Sequence, residues 1–115
     1  PMDPKVQVGP LARQDLVENL ERQVQGSVAA GAELLVGGQR IPGPGWFYSP
    51  TVLGKVRPGM PAFDEEVFGP VLAVVEADDV EHAVDLANRS RYGLGGAVFS
   101  ASKTKREFVI RELEA

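Results

Sequence analysis

The sequence predicts an α/β fold, built on a mixed, partly parallel sheet with about three helices. Three observations carry that expectation. Apolar residues at helical spacing alternate along the chain with apolar runs too short to be helices. The first two short runs are joined by a helix-free link, which favours antiparallel pairing, whereas the last two flank a helical segment, the pattern of parallel strands. Glycine and proline, 13 and 9 of the 115 residues, fall mostly between these segments.

Taken in order, Val17, Leu20, Val24 and Val28 lie three and four apart on one face of a helix from Asp15 to Ala30, with Gly31 as its stop. Ala32 to Val36 reads as a strand closed by Gly37-Gly38, and Gln39 to Gly45 as a loop, because Pro42, Gly43, Pro44 and Gly45 forbid regular structure. Phe47 to Val56 is aromatic and β-branched, so it reads as a second strand, with Pro50 confining its first half to an edge or a bulge. A turn at Arg57 to Pro61 leads to the octapeptide Phe63 to Pro70. Val71 to Val75 has no polar residue and reads as a central strand covered on both faces. Asp78 and Glu81 match a helix capping box, and Val80, Ala83, Val84 and Ala87 carry that helix to Asn88. Tyr92 to Gly96 breaks it. Ala97 to Phe99 is expected as a further strand, closing a strand–helix–strand unit with a right-handed crossover. Ser102 is placed to cap a last helix through Leu113.

Composition narrows the function classes. At 115 residues the chain has room for one domain. A net charge of −4 leaves no basic surface for nucleic acid or anionic lipid. With no cysteine there is no disulfide, thiolate metal site or thiol nucleophile. No apolar run approaches the roughly 20 residues of a membrane helix, and the first residues lack a signal-peptide core, so a cytoplasmic location is expected. An opening on Pro1 and a helical pattern still running at Ala115 suggest a piece of something longer.

Groups able to do chemistry are few. His82, the only histidine, sits early on a capped helix among charged neighbours and reads as a surface residue rather than a general base. Glu65 and Glu66 are adjacent in an extended loop, so their side chains point to opposite sides and at most one faces any given site. Gly93-Leu94-Gly95-Gly96 precedes a predicted strand, whereas phosphate cradles follow a strand and open a helix; it reads as a tight turn, as does Gly37-Gly38. One histidine and scattered acids give no metal-ligand spacing.

Val8-Gly9-Pro10-Leu11, Gly31-Ala32-Glu33-Leu34-Leu35-Val36-Gly37-Gly38, Pro50-Thr51-Val52-Leu53, Glu65-Glu66-Val67-Phe68-Gly69-Pro70-Val71, Ala87-Asn88 and Tyr92-Gly93-Leu94 together resemble successive landmarks of the aldehyde dehydrogenases, in order and over essentially the whole chain. The Glu-Glu-Val-Phe-Gly-Pro block is the most specific. Pro42 to Tyr48 and Arg57 to Phe63 look closest to the bacterial succinate-semialdehyde dehydrogenases. The resemblance implies a three-layer catalytic domain, of which residues 1–115 would be a part, in an enzyme that oxidises an aldehyde through a cysteine thiohemiacetal, passes hydride to NAD or NADP, and hydrolyses the thioester with a glutamate base. In that family the cysteine, the base and most of the cofactor-binding domain precede this segment, and the closing oligomer-contact segment follows it. One role carries over by residue. Glu66 resembles the acid that accepts hydrogen bonds from the nicotinamide-ribose hydroxyls, and Phe68 the aromatic packed beside that ribose. An ionised carboxylate offers two acceptor oxygens to a vicinal diol, and a ring can fix the tilt of the sugar.

The expectations are therefore a segment inactive alone, with no cofactor held by the isolated chain, a small-molecule aldehyde as substrate of the longer enzyme, and self-association through uncovered strand edges and apolar faces. The rival readings are a free-standing nucleotide-binding module using Glu66 and Phe68, or a noncatalytic interaction module. Against the first, a charge-assisted hydrogen bond contributes about 1.5–3 kcal/mol, whereas a millimolar dissociation constant needs about 4.1 kcal/mol after association entropy is met.

Overall fold

A computed structural model describes residues 6–115. Their contacts gather into two compact units, the first ending at Val75 and the second running Glu76–Ala115.

The first unit is organised by helix α1 (Gln14–Ala29). Val17, Leu20 and Val24 are buried and join Tyr48, Leu53, Val56 and Met60 in one core, each large aliphatic side chain contributing about 1.5–3 kcal/mol of burial. The buried stripe differs from the expected one. It continues through Gln23 and Ser27, while Val28 stands on the exposed flank. The helix ends as Gly31 implies: the amide of Gly31 (φ 105°) donates to Val28 and that of Ala32 to Ser27, a Schellman arrangement needing a left-handed residue.

Behind α1 lies a three-stranded sheet in the order β1 (Glu33–Val36), β2 (Thr51–Gly54), β3 (Val71–Ala73). The pair β1–β2 is antiparallel, with a register shift between Leu34 and Val36, and β2–β3 is parallel. Pro50 has the expected effect. The ladder starts only at Thr51, and the first half of the predicted strand keeps a single bridge, Arg40 to Tyr48.

A parallel neighbour requires a crossover, and the stretch from Lys55 to Pro70 supplies it, including a one-turn helix α2 (Pro61–Asp64) absent from the sequence reading. Four residues are too few for periodicity. Its signals were Pro61 in the first turn, where no amide donor is needed, and Asp64, which accepts from the Gly59 amide at 3.0 Å. Buried Ser27 ties α2 to α1 by accepting from the Ala62 amide at 2.9 Å and donating to the Gln23 carbonyl at 2.8 Å.

Strand β3 does not have both faces covered. Val71, Ala73 and Val75 pack on the core, but Leu72 is 60% exposed and Val74 also faces out, and the strand lies at the sheet's edge. A continuous apolar run specifies two covered faces only where a second layer exists to cover them.

In the second unit, α3 (Val80–Asn88) and α4 (Lys103–Glu112) pack together. The cap of α3 is Asp79 rather than Asp78: its carboxylate accepts from the His82 amide at 2.7 Å. Ser102 caps α4, accepting from the Lys105 amide at 3.3 Å. Asn88 links the two helix ends, donating to the Glu112 carbonyl at 2.8 Å and accepting from the Glu114 amide at 3.0 Å. The expected strand at Ala97 to Phe99 does not form among the described residues, so the strand–helix–strand unit lacks its second strand. Phe99 is 95% exposed, and so short a run makes no strand without a ladder partner. The described residues thus form an α/β fold, with a mixed sheet, three helices of nine residues or more and one single turn. No helix of the described residues is long and apolar enough to cross a membrane.

Candidate functional site

The octapeptide Phe63 to Pro70 leaves α2 in extended conformation, with φ −111° and ψ 158° at Glu65. Exposure then alternates: Glu65 and Val67 are partly buried, whereas Glu66 and Phe68 are exposed, Phe68 at 64%. Residues two apart in an extended chain share a side. Glu66 and Phe68 therefore present a carboxylate and a ring outward together, and the expectation that Glu65 and Glu66 diverge holds in the structure.

What turns Glu65 inward is α1. Arg22 grips the Glu65 carboxylate with both guanidinium amines, Nη1 at 3.3 Å and Nη2 at 2.5 Å, and this contact raises the pKa of Arg22 above its ordinary value. Beside it, buried Gln23 donates from Nε2 to the Glu65 carboxylate at 2.9 Å and to the Glu66 carbonyl at 3.0 Å. Two acceptors at that atom identify it as the amide nitrogen. Its Oε1 is buried with no hydrogen-bond partner among the described residues, an arrangement that costs about 1–3 kcal/mol. The sequence reading missed Gln23. Its signal was a polar residue three positions after Leu20, inside the apolar stripe.

The far end of the octapeptide is fixed by close packing. A Cβ at Gly69 would stand 2.5 Å from Cδ2 of buried Leu20, so only glycine lets the loop approach α1 this closely. Pro70 then passes the chain into the sheet, its carbonyl accepting from the Thr51 amide at 2.8 Å. Beside Phe68 lies a mainly apolar groove of about 350 Å³ lined by residues that include Pro10, Leu11, Leu16, Val67, Phe68 and Pro70. The loop thus presents a carboxylate and a ring outward, with the ring lining an apolar groove.

His82 is half-exposed, with Nδ1 3.2 Å from the Asp78 carboxylate at the surface. Gly37 and Gly38 follow β1 with left-handed φ of 75° and 81°. Gly96 packs against Leu113, and the space around it, about 600 Å³, is a largely apolar hollow between α3, the 92–100 segment and α4. No cluster of three metal-ligating side chains occurs among the described residues.

The chain matches the aldehyde dehydrogenase family over residues 1–115, and it belongs to that family. Among its relatives, the Escherichia coli K12 succinate semialdehyde dehydrogenase Sad, described as using NAD(P)+, is 46% identical over 114 residues, which are 99% of this chain and 25% of that protein. The NADP+ succinate-semialdehyde dehydrogenase of Deinococcus radiodurans is likewise 46% identical, over 99% of this chain and 24% of that one. Among solved structures, lactaldehyde dehydrogenase from Escherichia coli superposes with a TM-score of 0.93 at 35% identity, covering 98% of this chain and 24% of that one. Succinic semialdehyde dehydrogenase from Streptococcus pyogenes, in complex with NADP+, gives 0.88 at 34% identity, over 98% and 25%. The chain thus spans about a quarter of the length of these relatives.

Proposed function

We propose that this chain is part of the catalytic domain of an NAD(P)-dependent aldehyde dehydrogenase acting on succinic semialdehyde, and that Glu66 and Phe68 hold the nicotinamide ribose of the cofactor. The observation that carries the reading is the outward pairing of this carboxylate and ring on a loop clamped by α1. When bound, the cofactor accepts hydride; the part of Glu66 is to accept hydrogen bonds from the ribose hydroxyls, and that of Phe68 is to limit the sugar's tilt. The chain contains no cysteine, so it forms no thiohemiacetal itself and is inactive alone. A cytoplasmic location belongs to the same reading.

The test is NAD(P)H absorbance with succinic semialdehyde, on this chain and on the full-length enzyme that carries it. Only the longer protein is expected to reduce cofactor; turnover by the 115 residues alone overturns the proposal. In the longer enzyme, Glu66→Gln removes the charge behind the ribose hydrogen bonds and is expected to weaken cofactor binding and slow hydride transfer about tenfold or more, from about 1.5–3 kcal/mol. Unchanged cofactor affinity and turnover would remove Glu66 from the site.

Self-association of the isolated chain follows from its uncovered apolar surface. Edge strand β1 exposes Leu34, Leu35 and Val36, and Leu94, Phe99 and Ile110 are bare in the second unit. Sedimentation as a clean monomer at every concentration would contradict it.

A further inference from the structure

We propose that Gln23, with Arg22 beside it, is a positioning residue for the cofactor loop: the two side chains of α1 set the direction in which Glu66 and Phe68 point. The inference rests on the ribose reading of Glu66 and adds what makes that orientation singular. An extended segment can rotate by one residue, and such a slip exchanges its two sides, turning Glu65 and Val67 outward and Glu66 and Phe68 inward. Two contacts oppose it. The guanidinium of Arg22 holds Glu65 on the α1 side through both carboxylate oxygens. Gln23 holds the same carboxylate and, through the same nitrogen, the carbonyl of Glu66 itself.

The Gln23 bond to the Glu66 carbonyl fixes the backbone of the residue that bears the binding carboxylate, not merely its neighbour. Gln23 is 1% exposed and lies between Leu20 and Val24 on the buried face, so its amide is held by packing as well as by hydrogen bonds. The burial of Gln23 leaves its two bonds part-buried, whereas Arg22 is half-exposed and its grip is weakened by solvent. Gln23 is therefore the stronger clamp. It touches no cofactor atom in this reading, and its effect on binding passes wholly through the loop.

The test uses the full-length enzyme with NAD+ and NADP+. Gln23→Met keeps the length and volume of the side chain and removes both donor bonds. It is expected to raise cofactor KM about tenfold, the loss of roughly one well-placed charge-assisted contact, while aldehyde KM stays within about twofold. Val24→Ala, the adjacent buried position, lowers the thermal midpoint and leaves cofactor KM unchanged, which separates positioning from plain destabilisation. Glu66→Gln is measured alongside. If Glu66→Gln weakens cofactor binding and Gln23→Met does not, the positioning role is overturned and the ribose site stands. If Glu66→Gln has no effect, the ribose site fails and this inference falls with it. Should Gln23→Met not fold, Arg22→Met decides: a rise in cofactor KM of about threefold is expected, and no change overturns the proposal.

Discussion

Replacing Gly69 with alanine is expected to destabilise the first unit through a single collision. Gly69 has no left-handed backbone, so alanine meets no torsional penalty there. The added Cβ would lie 2.5 Å from Leu20 Cδ2 and 3.3 Å from Leu20 Cδ1, about an ångström inside ordinary contact for the nearer atom, while Leu11 Cδ2 at 3.5 Å is unaffected. Leu20 is 1% exposed and cannot swing into solvent, so the core must shift, which costs about 1–3 kcal/mol. Leu20→Ala alone deletes buried methyl groups and leaves a cavity, at about 2–5 kcal/mol. In the double variant the alanine methyl at position 69 occupies space the leucine vacated, so the two costs do not add, and a favourable coupling of about 1 kcal/mol or more is expected. Urea denaturation followed by the fluorescence of Trp46, the sole tryptophan and packed on this core, measures all four corners of the cycle. With a urea dependence of about 1–3 kcal/mol per molar, a loss near 2 kcal/mol moves the midpoint by roughly 1 M. Strict additivity would refute the claim that the loop rests directly on Leu20.

Three further expectations concern stability. Tyr48 is buried, its hydroxyl has no partner among the described residues, and burial, with a smaller contribution from the charge of Glu21, raises its pKa above 10.0. The unfolded chain then releases that proton first, so stability present below pH 10 falls as pH rises towards the folded value; Tyr48→Phe should flatten that alkaline slope in thermal melts and be neutral or slightly stabilising at pH 7. Thr51→Val keeps the shape but strands the Gly38 amide and the Ser49 carbonyl, which the Thr51 hydroxyl now serves at 2.8 and 2.7 Å, and should cost about 1–3 kcal/mol by urea titration. Asp79→Ala should cost about 1 kcal/mol by loss of the α3 cap, whereas Asp78→Ala should stay within about 0.5 kcal/mol; the reverse order in helix content by circular dichroism would restore the Asp78 capping box.

The helices of nine residues or more were legible because their causes are local. Val17, Leu20 and Val24 declare α1 by spacing, Gly31 its end, and Ser102 the start of α4. The antiparallel pairing of the first two strands followed from a link without a helix, and the divergence of Glu65 and Glu66 from the alternation of an extended chain. The family, too, was in the order of the motifs. What the sequence left undecided depends on partners distant along the chain. Ala97 to Phe99 has the residues of a strand but no ladder neighbour, and Val71 to Val75 has the residues of a covered strand but one covered face. Gln23 is the clearest instance. In sequence it is a polar interruption of an apolar stripe, and only the fold brings it against a loop 42 and 43 residues away, where its amide bonds both glutamates of the motif, one by side chain and one by backbone. Periodicity reports which face of a helix is buried; what that face meets is decided by tertiary packing.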